Sequence, residues 1–573
     1  MAIIGIDLGT TNSLVSVWKE GHIQLIPNAF GEYLTPSVVS FGKDNEVFVG
    51  NIAKEMLVTK PYDTFREFKR TMGTNMVYYT GKNRYRSEEL SAFVLRRLKE
   101  DAEKFLGEPV EEAVISVPAY FDDNRRSATK LAGKLAGLQV ERLINEPSAV
   151  ALKHHTRQKD SELFMVFDFG GGTLDVSLVE AFDNVVEIQA VAGDNSLGGK
   201  DFNEIIARQF YEDNELTGVL FTKNQQEMIL KEAEALKKEL SKKNEAERLV
   251  RVGEYEYRMK MTNQRLIHIA GDLFVRMAKP LKKVINDTEL DLDELDKVIL
   301  VGGSSKMPVV QQYIKSLFEG RAEVVLEENP DESVAYGVGM AAAIKERTGD
   351  IKDMLLTDIC PFSLGTSVED GSFSPIIVRN ETLPCKRISY YTTTRNNQTS
   401  MDFPIYQGES LKAADNLKIG EMKLTKIPKA PKGEPVIEAA FIYDINGILD
   451  IEIKYGNQER HKVIVNKEIG LSEKEITQRI EQLKKMTLHP FEKEENRLLI
   501  EKAERLYTQT TPQNRHVIEQ WLRFFKHTLE SNKGKKVREV YVQFMAVLEC
   551  IENNQFEFKE FDESFWTEVN TDE

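Results

Sequence analysis

Two short segments of the chain repeat one order of residues and could together bind a phosphorylated ligand. The first runs Ile4-Gly5-Ile6-Asp7-Leu8-Gly9-Thr10-Thr11-Asn12, and the second runs Phe167-Asp168-Phe169-Gly170-Gly171-Gly172-Thr173-Leu174-Asp175. In each, an apolar strand ends in an aspartate and continues into a glycine and threonine turn. Glycines let backbone N–H groups approach a phosphate, threonine hydroxyls add donors, and an aspartate can hold a hydrated Mg²⁺. The repeated turn therefore predicts a nucleotide clamp.

Other phosphate-binding motifs do not account for such a site. The chain has neither GxxxxGK[ST] nor a strand-linked GxGxxG, so we expect a nucleotide to bind between the two hairpins. Two more glycine segments occur, Leu197-Gly198-Gly199 and Gly302-Gly303-Ser304. Each alone is typical of a tight turn, and we expect them to contact a nucleotide only if the clamp is present. Spacing alone indicates a solvated helix face for Glu234, Lys237, Lys238 and Ser241.

Charge and cysteine content exclude several classes of protein. The net charge of −16 argues against nucleic acid or an anionic membrane as the main partner. Cys360, Cys385 and Cys550 lack metal-binding spacing, which favours reduced thiols. No apolar run reaches the length of a membrane span, and a strand that begins at Ile3 leaves no room for a signal peptide. We therefore expect a soluble, cytoplasmic protein.

A chain of 573 residues is too long to fold around a single hydrophobic core, so several domains are expected. Residues 1–352 alternate strands with helices, which predicts an α/β domain. Residues 353–358 form a short apolar linker bracketed by acids, and residues 359–470 carry short alternating strands typical of an all-β sandwich. Residues 471–551 are predicted to be helical, and residues 552–573 form an acidic tail with interleaved aromatic side chains.

Local patterns predict individual elements within these domains. We expect helices over Arg126–Leu135 and Gln225–Lys243, and an Asn-Gly turn within Asp444-Ile445-Asn446-Gly447. The predicted strands are Ile3–Ile6, Ala113–Val117, Phe164–Phe167, Lys297–Val301, Ser389–Thr394, Met401–Tyr406, Val436–Tyr443 and Leu449–Lys454.

The carboxyl-terminal region is predicted to contain at least three helices. Ser472 and Glu475 form a capping box, and Pro490 and Pro512 divide the chain beyond it into separate helices. The acidic tail is either a solvated end or a segment that binds a partner. The last helix has apolar residues at helical spacing, namely Val537, Val540, Tyr541, Phe544, Val547, Leu548 and Ile551.

Further ordered motifs extend to about residue 470. They are Phe68-Lys69-Arg70, Val117-Pro118-Ala119-Tyr120-Phe121, Ile144-Asn145-Glu146-Pro147, Val301–Pro308, Asn329-Pro330-Asp331-Glu332, Pro361-Phe362-Ser363-Leu364-Gly365, Tyr406-Gln407-Gly408-Glu409 and Asp444-Ile445-Asn446-Gly447-Ile448-Leu449. With the glycine turns, they resemble in order the DnaK-type heat-shock chaperones, and Thr357-Asp358-Ile359-Cys360-Pro361 looks most like the bacterial HscC branch. The resemblance implies an actin-like, two-lobed α/β ATPase domain, an all-β sandwich peptide-binding domain and a short α-helical lid.

The resemblance also implies roles at an ATP site. Lys69 matches a lysine that orients the attacking water, and Glu146 matches an acid that helps to order metal and water; Asp168 and Thr173 complete the catalytic set. Asp7, Asp168 and Asp175 match carboxylates that position Mg²⁺ through water, and K⁺. The residues implied to bind ATP or ADP are Gly9, Thr10, Thr11, Asn12, Gly170, Gly171, Gly172, Thr173, Gly198, Gly199, Glu234, Lys237, Lys238, Ser241, Gly302, Gly303, Ser304, Lys306 and Asp331.

Two more sets of residues are implied by the resemblance. An allosteric relay from the nucleotide to the linker is implied for Pro118, Arg126, Arg142, Leu355, Leu356 and Asp358. A site for an extended peptide is implied for Thr366, Val368, Glu369, Tyr391, Thr392, Thr394, Met401, Phe403 and Ile437, where main-chain hydrogen bonds and one apolar pocket would hold the peptide.

Several residues depart from the family pattern. Lys306 stands where many relatives have an arginine stacked on adenine, and a lysine lacks the planar guanidinium, so we expect weaker stacking. Thr357 interrupts the apolar linker and should soften its docking. Glu369 and Thr394 align with the two residues that arch over the peptide, and a carboxylate there should disfavour acidic peptides. Met401 and Phe403 should make the central pocket shallower.

The resemblance implies an ATP-dependent chaperone in which ATP binding opens the peptide site and hydrolysis closes it. Implied partners are extended client polypeptides, a J-domain co-chaperone and a nucleotide exchange factor, with the protein mainly a monomer. A dedicated ATPase switch that holds one folded client is an open alternative, since the arch is altered and the helical region is short. A small-molecule kinase of the same fold is disfavoured by the segment 359–470.

Overall fold

The computed structural model describes residues 2–43, 45–155, 161–253, 255–347, 354–445, 447–464, 473–488, 494–530 and 534–553. The predicted cap at Ser472, the dividing Pro490 and nearly all of the acidic tail lie outside these residues. Within them, no helix has both the length and the apolar character of a membrane span.

The first lobe is built around the strand that carries Asp7. Its strands are β1 (Ile3–Asp7), β2 (Asn12–Lys19), β3 (His22–Leu25), β4 (Thr35–Pro36), β5 (Val38–Phe41), β6 (Glu46–Val49), β7 (Thr64–Arg66), β8 (Tyr78–Thr80), β9 (Asn83–Tyr85), β10 (Glu112–Val117) and β11 (Leu143–Asn145). Its helices are α1 (Asn51–Thr59), α2 (Ser87–Leu106), α3 (Asp123–Leu135) and α4 (Glu146–His155). The main sheet has the order β11-β10-β1-β2-β3, so the first glycine turn follows the end of a central strand.

The second lobe repeats this arrangement around the strand that carries Asp168. Its strands are β12 (Glu162–Phe169), β13 (Leu174–Phe182), β14 (Val185–Asp194), β15 (Glu245–Val252), β16 (Tyr255–Thr262), β17 (Lys297–Val301) and β18 (Glu323–Leu326). Its helices are α5 (Gly199–Asp213), α6 (Lys223–Leu240), α7 (Asn263–Ile269), α8 (Gly271–Thr288) and α9 (Pro308–Leu317). The sheet order β18-β17-β12-β13-β14 again places the glycine turn after a central strand, while β15 and β16 form a separate hairpin.

One helix joins the two lobes. α10 (Ser333–Glu346) follows the second lobe and packs back against β1 and α4 of the first. Gly337 allows the approach, since a Cβ there would collide with the backbone of Ala149. Val166 of β12, Val338 of α10 and Ile144 of β11 belong to one buried cluster. The lobes therefore share a core at their base and are free to enclose a cleft above it.

The predicted helices of these lobes differ slightly from the observed ones. α3 begins at Asp123, three residues earlier than predicted, because the Asp122 side chain caps it by accepting from the Arg125 N–H at 3.0 Å. α6 begins at Lys223 after a capping box of Thr222 and Gln225. It ends at Leu240 rather than at residue 243, because the chain turns to enter β15.

The β-rich domain consists of two four-stranded sheets. Its strands are β20 (Leu364–Ser367), β21 (Phe373–Ile377), β22 (Cys385–Thr392), β23 (Ser400–Gln407), β24 (Leu417–Thr425), β25 (Val436–Tyr443), β26 (Leu449–Tyr455) and β27 (Gln458–Ile464); they come after the linker strand β19 (Leu355–Thr357). The sheet orders are β21-β20-β23-β24 and β22-β25-β26-β27. Inward side chains of both sheets, such as Ile405, Phe441 and Ile451, form one core. Gly447, at a φ of 72°, closes the turn between β25 and β26.

The helical region packs on the first lobe. Its elements are α11 (Glu473–Lys484), β28 (Thr487–Leu488), α12 (Glu494–Gln509), α13 (Pro512–Glu530) and α14 (Gly534–Glu552). α12, α13 and α14 share a core that includes Trp521, Phe525 and Phe544, which confirms the predicted apolar face of the last helix. β28 extends the sheet of β6, β5 and β7, and α12 contacts α1. α14 extends to Glu552, where the tail was predicted to begin, and the carboxylate of that residue binds Arg505.

Candidate nucleotide site

The two glycine turns face each other and touch. The first connects β1 to β2, and the second connects β12 to β13. A Cβ atom on Gly171 would collide with the side chain of Thr11, and a Cβ atom on Gly172 would collide with that of Thr10. Only glycine allows so close an approach. The turns thus form one cradle of backbone N–H groups and threonine hydroxyls, which suits a chain of phosphates.

The third glycine turn supports the second from behind. The Gly199 N–H donates to the Gly170 carbonyl and the Lys200 N–H donates to the Gly171 carbonyl, both at 3.0 Å. A Cβ atom on Gly198 would lie 2.5 Å from the Gly171 carbonyl carbon. Gly198 and Gly199 therefore fix the position of the second turn.

Four buried carboxylates surround one buried lysine below the turns. The Lys69 Nζ donates to Glu146 Oε1 at 2.7 Å. Burial and the charge of Glu146 raise the pKa of Asp7 to about 7 and that of Asp175 to about 7, and Lys69 opposes this only in part. The same causes raise the pKa of Asp168 well above its usual value. Within the described residues, no three such side chains are placed to ligate one metal ion directly, so a divalent cation would be held here through its water shell.

Two hydrogen bonds orient these carboxylates. The Ser116 hydroxyl donates to Asp7 Oδ1 at 2.7 Å, and the Tyr120 N–H donates to Asp175 Oδ1 at 3.1 Å. Both donors lie at or just beyond the end of β10. The first lobe therefore positions an aspartate of each lobe.

Arg70 joins the lobes beside the phosphate cradle, a role that the sequence did not reveal. A short 3₁₀ helix, Phe68–Thr71, presents Lys69 and Arg70 together. The Arg70 Nε donates to the Gly172 carbonyl at 2.8 Å, and its Nη2 lies 2.9 Å from Asp201 Oδ2. Asp201 also accepts from the Gly198 N–H at 2.7 Å. The motif Phe68-Lys69-Arg70 was the one local signal for this contact.

The helix face that spacing alone assigned to solvent borders the cleft. The Lys237 Nζ donates to the Gly199 carbonyl at 2.7 Å, and Lys238 pairs with Glu234 at 2.6 Å. Burial alone would raise the pKa of Glu234, but Lys238 and Lys54 outweigh it and lower this pKa to about 2. Burial lowers the pKa of Lys237 to about 8 against the opposing charge of Glu234. The face therefore presents one ionised carboxylate and two lysines to the cleft.

The fourth glycine turn closes the other side of the cleft. Gly302 has a φ of 81°, and its N–H donates to the Pro330 carbonyl at 2.9 Å. The Ser304 hydroxyl donates to the Gly170 carbonyl at 2.8 Å, which ties this turn to the phosphate cradle. Lys306 forms an ion pair with Asp331 at the edge of the cleft.

These elements enclose a cavity of about 490 Å³. The sequence-predicted residues on its wall are Asp7, Gly9, Thr10, Thr11, Asn12, Lys69, Glu146, Asp168, Gly170, Gly171, Thr173, Glu234, Lys237, Lys238, Ser241, Gly302, Gly303, Ser304, Lys306 and Asp331. Four further predicted residues, Gly172, Asp175, Gly198 and Gly199, do not line the cavity. Lys54, Leu57 and Asn203 also line the cavity, although no motif marked them.

A chain of polar contacts leads from the cavity to the linker. Arg126 Nη2 donates to Asn145 Oδ1 at 2.6 Å, and Asn145 Nδ2 donates to Asp358 Oδ2 at 2.7 Å. Asn145 immediately precedes Glu146, which binds Lys69 in the cavity. Burial lowers the pKa of Arg142, and the charge of Asp358 offsets this shift only in part. One peptide unit thus connects Glu146 to the linker residue Asp358.

The linker is an edge strand of the second lobe. β19 pairs parallel with β14, where Leu355, Leu356 and Thr357 oppose residues 185–187. The Leu356 side chain packs against the shared core, whereas that of Leu355 is exposed. Thr357 is accommodated as the last residue of the strand.

The β-rich domain contacts the first lobe through a buried aspartate. The Tyr443 hydroxyl donates to Asp123 Oδ1 at 2.9 Å, and the Asp123 N–H donates to Gln407 Oε1 at 3.0 Å. Burial raises the pKa of Asp123 to about 6 even though Tyr443 lowers it. The ring of Phe362 packs on that of Tyr120, which comes two residues after Pro118, with centroids 4.4 Å apart.

The residues predicted to bind a peptide divide into buried and exposed sets. Phe403 and Ile437 are buried in the core of the domain, and the ring of Tyr391 packs edge-on against Phe403 at 5.5 Å. The Thr366 hydroxyl donates to the Pro404 carbonyl at 2.7 Å. Met401 is half-buried, and Val368 and Thr392 are exposed.

The predicted arch residues lie on loops of the same domain, outside its strands. Glu369 pairs with Lys432 at 3.2 Å, and the Lys432 N–H donates to Asn396 Oδ1 at 2.8 Å. The Thr394 N–H donates to Gln398 Oε1 at 3.1 Å within that same loop. An exposed ion pair thus joins the loop of Glu369 to the loop of Lys432.

Comparison with known protein families gives one match that extends over most of the chain. A family model described as Hsp70 protein matches residues 3–79 and 75–565. The match includes both glycine turns, the linker, the β-rich domain and the helical region.

Proposed function

The chain belongs to the Hsp70 family, whose members are ATP-dependent chaperones, and we propose that it couples ATP hydrolysis in the cleft to the opening and closing of a peptide site in its β-rich domain. The observation that carries this proposal is the junction of Asn145 and Glu146. Glu146 binds Lys69 in the cavity at 2.7 Å, and Asn145 binds the linker residue Asp358 at 2.7 Å. A change at the γ-phosphate would therefore reach the linker through one peptide unit.

We propose that this chain's own residues catalyse hydrolysis by positioning and electrostatics, as is general for phosphoryl transfer. The two turns bind the phosphates through backbone N–H groups, and Lys69 and Glu146 hold the attacking water. Asp7, Asp168 and Asp175 would hold Mg²⁺ through water, and K⁺, which neutralise charge on the phosphates. Thr173 donates its hydroxyl towards the γ-phosphate. Arg70 keeps the second turn in register with the first lobe.

Variants at the γ-phosphate end of the cavity test the ATPase half. Lys69→Ala and Thr173→Ala should each lower steady-state ATP hydrolysis by about 100-fold or more while nucleotide binding stays measurable. Lys43→Ala, which removes an exposed lysine of the same lobe, is the matched control and should hydrolyse ATP at the wild-type rate. Wild-type turnover in the Lys69 variant would overturn the catalytic assignment.

The docked arrangement supports a two-state cycle. With β19 paired to β14 and Tyr443 bonded to Asp123, the linker and the β-rich domain contact the lobes together. We propose that ATP favours this docked state with an open peptide site and that hydrolysis releases it, a population shift between two global states. A J-domain protein and a nucleotide exchange factor would act on this cycle, and the protein would work in the cytoplasm mainly as a monomer. The linker sequence Thr357-Asp358-Ile359-Cys360-Pro361 supports the HscC branch.

A second candidate is a dedicated switch that holds one folded client. The residues of the proposed peptide site favour this candidate. The rings of Phe403 and Tyr391 pack against each other, and Glu369 forms an ion pair with Lys432, so these side chains already have partners within the domain. A peptide array distinguishes the candidates. Binding of many apolar peptides that ATP releases supports the general chaperone, and absence of peptide binding supports the switch.

A further inference from the structure

The helical region meets the two lobes at a buried ionic cluster centred on Arg505. This arginine lies on α12 and is 2% exposed. Its guanidinium binds Glu55 of α1 and Glu552 of α14, and its Nη1 donates to Gln509 Oε1 at 2.8 Å. The planar fork of an arginine can bind two carboxylates at once, which a lysine cannot do with the same geometry.

The second lobe takes part in the same cluster. Lys231 of α6 lies 3.5 Å from the Glu55 carboxylate and 4.0 Å from that of Glu552. Lys502 of α12 lies 3.0 Å from Glu552. One cluster of two acids and three bases therefore connects the first lobe, the second lobe and the helical region. Because the arginine is buried, removal of one partner leaves charge without compensation, which is far more costly than loss of a surface pair.

The two helices joined by this cluster contact each other and also line the nucleotide cavity. Lys54 and Leu57 of α1 line the cavity beside Glu55. Glu234 and Lys237 line it from α6, less than two turns beyond Lys231. Separation of α1 from α6 would open the cavity on this side.

The direct contacts between the lobes at this entrance are both apolar and polar, and Val58 of α1 packs into the buried core of the second lobe. The Asn224 side chain donates to the Val58 carbonyl at 2.7 Å, and Arg66 pairs with Glu227 at 3.0 Å. The Arg505 cluster adds a buried brace outside these contacts. A nucleotide that leaves past α1 and α6 must therefore loosen the brace.

We propose that Arg505 is a positioning residue for the nucleotide, through which the docked helical region holds α1 and α6 together and slows nucleotide release. This inference rests on the proposed function, because it requires that the cavity binds ATP or ADP. By linkage, a nucleotide that draws α1 and α6 together also favours docking of the helical region. The helical region thus senses the nucleotide by contacts separate from the linker and the β-rich domain.

The test is the rate at which a fluorescent, non-hydrolysable ATP analogue leaves the full-length protein after a chase of unlabelled ATP, because ATP favours the docked state in the proposed cycle. Arg505→Gln should raise this rate about tenfold or more, because loss of a buried charged partner acts mainly on dissociation. The single-turnover rate of hydrolysis should change less than twofold. Arg505→Lys should restore part of the retention, since one ion pair can re-form. Arg523→Gln, an exposed arginine on α13, is the matched control and should release the analogue at the wild-type rate.

A second variant keeps the inference testable if Arg505→Gln does not fold. Glu552→Gln acts on the same cluster from a partly exposed position and should also speed release, by a smaller factor. A release rate within twofold of wild type in folded Arg505→Gln and Glu552→Gln would overturn the inference. Failure of the wild-type protein to retain the analogue would instead overturn the proposed nucleotide function. A melting transition measured by circular dichroism shows whether each variant is folded.

Discussion

The nucleotide cavity and the proposed peptide site are constructed in different ways. The cavity is a meeting of backbone turns, in which Gly171 contacts Thr11 and Gly198 supports the second turn from behind. The proposed peptide site depends on side chains, with Phe403 in the core and the exposed Glu369 paired to Lys432. A site made of backbone tolerates little change at its glycines, whereas a site made of side chains can change specificity by single substitutions without loss of the fold.

The largest effect is expected from a substitution at Gly198, which supports the second glycine turn of the nucleotide cavity. In Gly198→Ala, a Cβ atom would lie 2.5 Å from backbone atoms of Gly171, so the phosphate turn must move. Forced overpacking costs about 1–3 kcal/mol, and we expect a loss of nucleotide affinity of up to about 100-fold. Titration calorimetry with ADP measures it. Gly271→Ala, where a Cβ meets no atom within 4 Å, is the control and should bind normally. Equal affinities in the two variants would contradict a backbone-built site.

A smaller effect is expected where the helical region docks on the first lobe. Glu494 of α12 is buried and lies 2.9 Å from Arg97, with Asp101, Glu100 and Lys104 around it. Burial raises the pKa of Glu494 from 4.5 to about 7, and Arg97 offsets this only in part. The docked state therefore takes up a proton. Docking is strongest below the undocked pKa and weakens as the pH rises through the docked pKa.

Lowering the pH from 8 to 6 should therefore favour docking about tenfold for one such group. Energy transfer between dyes on α13 and on α2 reports docking at each pH. Glu494→Gln should flatten the response, and Glu539→Gln, an exposed acid of α14, should leave it unchanged. A pH response of the same size in Glu494→Gln would exclude this carboxylate as its source.

The smallest effect is expected at the arch of the peptide site. Glu369 and Lys432 are 61% and 55% exposed, so their pair is worth at most about 1 kcal/mol. Glu369→Gln should favour acidic over basic peptides by about two- to threefold, and Lys432→Gln should shift the preference in the opposite direction. Fluorescence anisotropy with two peptides of opposite charge measures both. Shifts of the same sign in both variants would show that the arch does not act through charge.

The sequence predicted best those parts of the site that depend on local residue order. Asp7, Thr10 and Gly171 sit in repeated turns, and each turn comes after a strand that could be recognised from its apolar run. The bounds of β25 and the apolar face of α14 were also predictable, because both rest on short periodic patterns.

Contacts between distant parts of the chain could not be predicted in this way. Arg70 binds a carbonyl of the opposite lobe, and Lys54 lines the cavity from a helix without any motif. The sequence predicted a solvated helix face for Glu234 and Lys237, because charged residues at this spacing are common on exposed helix surfaces. Arg505 finds its partner Glu55 on another domain. Only the packing of whole elements determines such pairs.

The central claim is that the nucleotide in the cleft controls the peptide site through the linker. The most direct test is the release rate of a labelled peptide from the full chain in ATP and in ADP, measured in wild type and in Asp358→Asn. Asp358 accepts from Asn145 at 2.7 Å and from Ser148 at 3.0 Å, so its loss should weaken linker docking. We expect ATP to speed release about tenfold or more in wild type and far less in the variant. Equal release rates in ATP and ADP for wild type, or undiminished acceleration in Asp358→Asn, would contradict the claim.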